Sequence, residues 1–501
     1  MKIKSERIVA VAALVAAGCS MLPSVGPDYE EPEREMPDFA LPDAGYPTTR
    51  LLETGEYQVA EGEEDWRVSI TTNDIRSWWT RFNDPILTGL VDSSVSNNLS
   101  FLMAQERLIE ARWSLVGSYA AYMPHFNFMG SATQMERGKN TSTMWGTNSK
   151  LHRDVFTTGF DATWEIDIFG GSRRATEAAQ AEFEAAGWGL ADAWVSLTSE
   201  VGSQYIALRT TQQRIEVARD NLVLQRETYD ILKSRLDSGI GDELAVSQSK
   251  YVVEQTHAAI PPLLAQEEHL KNSLSILTGV MPGALDEELC ECPKRDWLVE
   301  PQKLAGIPLD MIRARPDVRQ AERKLAAQVA HVGVAQAQWY PKLFINGSLG
   351  LESVHPQKLM HRDALVGSIG PAFSWPIFQG GSIYANIMAE EAKVNEACLG
   401  YDLAIQKAYS EIRDAYAAYT QEYHRYQALQ AAVKAAEDAV AISKDLYKNG
   451  LKDFTAVIDA QRSLLTLAES LVVSRGNISQ HLIALYKALG GGIVLEEVVT
   501  E

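Results

Sequence analysis

The chain contains no run of about 18 apolar residues, which excludes a membrane-spanning helix. Its nine histidines show no paired spacing of the H-E-x-x-H kind, so the zinc-hydrolase pattern is missing. Gly347 and Gly350 fall inside a strand pattern, not ahead of a helix, so they do not form a phosphate loop. With neither pattern present, no enzyme is expected. Base is also scarce: 46 Lys and Arg face 66 Asp and Glu, a net charge of −20. A nucleic-acid partner needs a basic footprint, so none is expected. The acid excess points to an aqueous lumen or surface of negative potential. Cysteine is rare, with four in 501 residues. Cys398 lies in a helical pattern and reads as a small core residue. Cys290 and Cys292 flank Glu291 in a Pro/Glu-rich connector, where an oxidising compartment would allow a strained pairing. No second Cys/His cluster flanks them, so no metal is expected.

The N-terminus reads as an export signal. Lys2, Lys4 and Arg7 precede a short apolar run from Ile8 to Ala16, and Ala16-Ala17-Gly18-Cys19 then matches a bacterial lipobox, with Ala16 where Leu is usual. Residues 1–18 are the expected signal peptide. Cys19 is the expected lipidation site, carrying diacylglyceryl and N-acyl chains that bind the outer-membrane lipid through buried methylenes. No other cofactor is expected. Ser20, where an Asp would favour the inner membrane, is the expected sorting residue for the outer membrane.

The chain is internally duplicated. Gly239-x-x-Asp242-x-x-Ala245-Val246 recurs as Gly450-x-x-Asp453-x-x-Ala456-Val457, 211 residues later. Trp164 and Trp375 share that offset, while Tyr122-Met123-Pro124 and Trp339-Tyr340-Pro341 lie 217 apart. Each copy reads as helix, hairpin, long helix, tight turn and long helix. Residues 172–237 contain no proline and begin at Gly170-Gly171-Ser172; residues 381–448 match them. At about 1.5 Å per residue each spans roughly 100 Å. The return helices place Val457, Leu464, Leu471, Ile478 and Leu485 at heptad spacing, and Val246, Val253, Ile260, Glu267 and Leu274 likewise, which implies coiled-coil-like packing. Gly239 and Gly450 are expected as left-handed helix caps, with Asp242 and Asp453 capping the return helices. Pro261-Pro262 is expected to break or kink the first return helix.

Between the helices lie two hairpins. Phe156, Thr158, Phe160, Ala162, Trp164 and Ile166 alternate with Thr157, Gly159, Asp161, Thr163, Glu165 and Asp167. Phe126 and Phe128 alternate similarly, as do Leu343, Ile345, Leu349 and Leu351, and then Leu365, Ile369, Phe373 and Trp375. One face suits lipid and the other water, over strands long enough to cross obliquely. Phe156, Phe160, Trp164, Phe373 and Trp375 are the expected lipid-facing residues. Four strands cannot close a barrel, and lipid forbids open edges, so several chains must contribute. The expected organisation is a lipid-anchored extension at 19–84 and a first repeat at 85–280, with hairpin 125–167 and tip 238–241. A connector at 281–308 leads to a second repeat at 309–490, with hairpin 342–376 and tip 449–452, and a tail at 491–501.

At this point the chain resembles the outer-membrane factor family of efflux and secretion channels, the TolC/OprM/NodT type. The resemblance rests on Gly18-Cys19-Ser20, Val25-Gly26-Pro27-Asp28-Tyr29, Trp78-Trp79-Thr80-Arg81-Phe82-Asn83-Asp84-Pro85, Pro261-Pro262, Arg315-Pro316-Asp317-Val318-Arg319 and Asp459-Ala460-Gln461-Arg462. The lipobox and the Pro-Pro pair look most like the lipoprotein branch serving resistance-nodulation-division pumps. The resemblance implies a mainly α fold with a membrane β-barrel part, a homotrimer closing a 12-stranded barrel, and an α-barrel tunnel in the periplasm. It implies passive export of drugs or other small molecules, with a periplasmic adaptor protein and an inner-membrane pump as partners. It also implies an acidic ring in the constriction at the helix ends. Asp414 is the expected gate residue, with Glu411 and Arg413 beside it, and Gly239, Asp242, Gly450 and Asp453 are the expected adaptor contacts. A type I protein secretion channel and a non-conducting envelope lipoprotein are the competing functions.

Overall fold

The computed structural model describes residues 24–32, 67–68, 77–136, 152–290, 303–304, 312–449 and 451–492. Cys19, Ser20, Gly450, Cys292 and the 291–302 part of the connector lie outside the described residues. In chain order the elements are β1 (Arg67–Val68), α1 (Pro85–Asn97), α2 (Leu99–Ser118), β2 (His125–Glu136), β3 (His152–Ile166), α3 (Gly171–Asp237), α4 (Glu243–Leu277) and α5 (Asp286–Leu289). They continue as β4 (Lys303–Leu304), α6 (Pro316–Ala337), β5 (Lys342–Ser353), β6 (Leu365–Ser374), α7 (Ser382–Lys448) and α8 (Thr455–Ala488). The described residues fall into two compact units, drawn from 1–33, 107–186 and 320–401, and from 34–106, 187–319 and 402–501. Neither unit coincides with a sequence repeat, because each repeat contributes to both.

In the first unit, β2-β3-β5-β6 form an antiparallel sheet in that order. In the second, paired helices meet on aliphatic stripes: Leu222 and Ala218 of α3 pack with Val253 and Ile260 of α4. Trp78 is buried there, stacked on Tyr486, and Gly202 leaves room for its ring. Tyr205 Oη donates to Asp84 at 2.5 Å, while Asp84 also accepts from Ile86 N and so caps α1.

The long helices match expectation, at 67 residues each. Of the break or kink expected at Pro261-Pro262, the break does not occur: α4 is one helix across the pair. Both prolines sit on the exposed side of the helix in the single chain, between buried Ile260 and Leu263. The carbonyls they leave without donors therefore face solvent, and the packed flanks hold the helix together.

Candidate functional site

The strand wall follows from its register. Phe128 lies opposite Phe160, Phe160 opposite Leu349, Leu349 opposite Gly367, and Leu343 opposite both Ile166 and Phe373. Directly opposed residues share a face. Phe156, Phe160, Trp164 and Phe373 therefore join one mainly apolar face shared by all four strands. Trp375 lies just past the end of β6. On the other face Ser131 Oγ and Thr157 Oγ1 are 2.7 Å apart, Ser348 Oγ and Ser368 Oγ are 2.8 Å apart, and Lys342 pairs with Glu165 at 3.0 Å. β2 and β6 each carry an outer edge that no other described strand pairs.

The two tryptophans 211 residues apart do the same work. Trp164 Nε1 donates to the carbonyl of Tyr122, and Trp375 Nε1 to that of Trp339, both at 3.0 Å. Each bond ties the foot of a hairpin to the end of the helix that precedes it. Phe169 stacks on Tyr340 at 4.7 Å. The alternation pattern marked these tryptophans as apolar surface and missed their second role as donors.

Residues 24–32 lie against the same unit. Val25 N donates to Phe169 O at 3.0 Å. Arg174 donates to Val25 O, Gly26 O and Asp28 Oδ1, the last at 2.6 Å. Gly26 abuts Gly333 so closely that a Cβ would lie 2.5 Å from its Cα. Ser24 touches Gly170 near the foot of β3.

The first tip is a left-handed helix end. Ile240 N donates to Arg235 O and Gly239 N to Leu236 O, with Gly239 at φ +75°. Asp242 then caps α4, accepting from Leu244 N at 3.0 Å. The second tip repeats the outer bond, Leu451 N to Leu446 O. Asp453 does not cap α8, contrary to expectation. Phe454 occupies the cap position and no side chain caps the helix there. Phe454 is buried with Leu232, Val457 and Ile458, and its ring meets Tyr447 at 5.2 Å. That apolar anchor sets the helix start one residue later, beyond the reach of the aspartate. Between the return helices, Arg462 Nη1 donates to Tyr251 Oη at 3.1 Å. These residues too are 211 positions apart, so the repeat itself links them in the sequence.

The gate candidates lie elsewhere. Asp414 is exposed in the middle of α7 and accepts from Ser410 Oγ at 3.2 Å. About 34 residues separate it from Lys448, the end of the helix, or roughly 50 Å. A ring at Asp414 is therefore not a ring at the helix ends, and the expected placement is corrected. Arg413 lies over the Tyr409 ring. Glu411 accepts from Arg315 Nη2 at 2.7 Å. Arg315 also pairs with Asp317 and donates to Ala488 O, the last carbonyl of α8. Asp192 lies in the same charged group, and burial first, then Asp317, holds its pKa above the usual carboxylate range. Cys290 is a free, exposed thiol whose Sγ contacts Glu287 O, and Cys398 is half-buried. No metal cluster exists among the described residues.

Comparison with known proteins gives these features a setting. The family model described as "Outer membrane efflux protein" matches residues 90–280 and 309–491. Nodulation protein T of Rhizobium leguminosarum bv. viciae is 28% identical over 491 residues, 98% of this chain and 94% of that protein. The toluene efflux pump outer membrane protein TtgC of Pseudomonas putida is 27% identical over 500 residues, 98% of this chain and 96% of its own length. Among solved structures, the outer-membrane channel OprN is 29% identical with a TM-score of 0.81, over 93% of this chain and 99% of that one.

Proposed function

The chain belongs to the outer membrane efflux protein family, and on that premise we propose that it is the passive exit duct through which a tripartite pump expels small molecules. It is an outer-membrane channel, with its strands in the membrane and its helical tunnel in the periplasm. Its family is one of ducts, not of enzymes. The observation that carries the reading is the sheet: one mainly apolar face, one more polar face and two edges that no described strand pairs, fused to helices of 67 residues. In lipid such edges must be paired, so the working state is a closed ring of chains. The reading takes that ring as a homotrimer.

The finer parts of the reading follow from this. Phe156, Phe160, Trp164, Phe373 and Trp375 face lipid. Cys19 carries the acyl anchor and Ser20 directs it to the outer membrane. The tips at Gly239, Asp242, Gly450 and Asp453 meet a periplasmic adaptor, which joins the duct to an inner-membrane pump of the resistance-nodulation-division class. The exposed side chains of Ile240 and Leu451, one at each tip, support that docking role. The helix-end constriction is held by the Tyr251–Arg462 bond, which joins the two return helices about two turns from the tips.

Planar-bilayer recording of the purified full chain tests the reading. Discrete conductance steps are expected, with a higher open probability in Arg462→Ala and no change in Asp414→Ala. A protein that conducts nothing, even as Arg462→Ala, would not be a duct. Palmitate incorporation by the parent and not by Cys19→Ala is the result expected for the anchor; equal labelling of both removes it.

A further inference from the structure

We infer that the free edge of β6 pairs antiparallel with β2 of a partner subunit in the register set by the internal repeat, with Phe373 opposite Gly130 of the partner subunit. The inference rests on the reading of the strands as a wall shared between chains, and it adds which residues meet.

One observed joint gives the other. β2 maps onto β5 with an offset of 217, and β3 onto β6 with an offset of 211. The two hairpins verify this mapping. His125 pairs with Thr163, and the offsets carry that pair onto Lys342 and Ser374, which are observed partners. The two tryptophan hydrogen bonds fix the same correspondence at the foot of each hairpin. Between the copies lies the β3–β5 joint, where Ala162 pairs with Gly347. The next joint around a ring is β6 with β2 of the following chain. Moving Ala162 forward by the first-to-second offset gives Phe373, and moving Gly347 back gives Gly130. The same shift sets Pro371 opposite Ala132 of the partner subunit and Trp375 opposite Phe128 of the partner subunit.

A property not used in the derivation supports it. The resulting pairs bring apolar face to apolar face, so Phe373 and Pro371 continue the surface that carries Phe126 and Phe128 in β2. A slip of one residue would carry Asn127 and Ser131 onto that face. The joint also explains exposure at the end of β6. Ile166 pairs with Leu343 within the chain, and its counterpart Ile377, 82% exposed, would pair with Phe126 of the partner subunit. The strand then lengthens on assembly from Ser374 to Ile377.

The observed joint supplies the test distance. A Cβ on Gly347 would lie 3.9 Å from Cβ of Ala162, within the range a disulfide spans. The full chain is prepared with Cys290, Cys292 and Cys398 changed to Ser, so that Cys19 alone remains. Gly130→Cys with Phe373→Cys, oxidised in isolated outer membranes, is expected to give a reducible ladder of linked chains. Ala132→Cys or Phe128→Cys paired with Phe373→Cys, the two slips that keep the faces, should give none. The internal pair Ala162→Cys with Gly347→Cys is the folding control and should give only a faster-running monomer. A ladder from either slip pair overturns the register. So does an absent ladder when the control closes and the parent is oligomeric by native mass measurement in detergent. A monomeric parent would instead overturn the shared-wall reading beneath it.

Discussion

The two copies of the repeat end their return helices on the same backbone carbonyl position but reach it with different chemistry. In the first copy Asn98 Nδ2 donates to Leu277 O at 2.9 Å, and Asn98 Oδ1 accepts from Phe101 N. In the second, Arg315 Nη1 donates to Ala488 O at 2.5 Å and also serves Asp317 and Glu411. The offsets place Asn98 under Arg315 and Leu277 under Ala488. The tips diverge in the same way: a polar cap at Asp242 in one copy, a buried ring at Phe454 in the other. The helix-end joint therefore keeps its acceptor while changing its donor, whereas at the tip the side-chain cap of the first copy gives way to an apolar anchor in the second.

This asymmetry can be broken first at the tips. Phe454→Ala should cost about 3 kcal/mol, the usual loss for truncating a buried aromatic ring. Glu243→Ala, at the matching exposed position, should change stability by less than about 0.5 kcal/mol. Hydrogen exchange of the amides on either side of each turn would read both. Equal loss of protection at the two tips would mean that Phe454 is not the anchor of the second.

The helix joints come next. Arg315→Ala leaves Asp317 and Glu411 without their cation and the Ala488 carbonyl without its donor. A broken buried pair costs about 3–5 kcal/mol, which Glu411, 56% exposed, reduces through solvent screening to about 2–3 kcal/mol. Asn98→Ala removes two neutral hydrogen bonds, for about 1–2 kcal/mol. The thermal midpoint of the detergent-solubilised oligomer should fall further for the arginine variant. The reverse order would show that the charged joint is decorative. Smaller still is Asp242→Ala, at about 1 kcal/mol for a lost helix cap, beside no measurable effect from Asp453→Ala.

Much of this was legible in the sequence because it depends on period. Strand alternation put Phe156, Phe160, Trp164 and Phe373 on one face, and the register agrees. The glycine signal located the first tip, and the 211-residue offset already links Tyr251 to Arg462 in the sequence. Packing was not legible. Nothing local to Asp453 shows that the next residue, Phe454, has a pocket among Leu232 and Tyr447 that outweighs an N-cap. Similarly, Pro261-Pro262 looks like a break until its exposed side and packed flanks are known. The height of Asp414 is hidden for another reason: a motif carries residue types but not position along a helix of 67 residues.

The last distinction between the copies is a response to pH. The first joint consists of neutral partners, Asn98, Leu277 O and Phe101 N, so no proton is taken up or lost there. The second includes Asp192, whose pKa is raised chiefly by burial and then by Asp317, with Lys487 and Arg315 opposing. A carboxyl group whose folded pKa lies above its unfolded value favours the fold while it is protonated. That contribution is fully present below the unfolded pKa and is lost as pH rises through the folded one. Asp192→Asn keeps the shape and removes the charge. It should raise the thermal midpoint near pH 7, because the carboxylate's desolvation is relieved. The gain should vanish near pH 3, where aspartate itself is largely neutral. A gain independent of pH would assign the effect to packing of the amide instead of to the half-buried charge, and would leave the two joints alike in their response to protons.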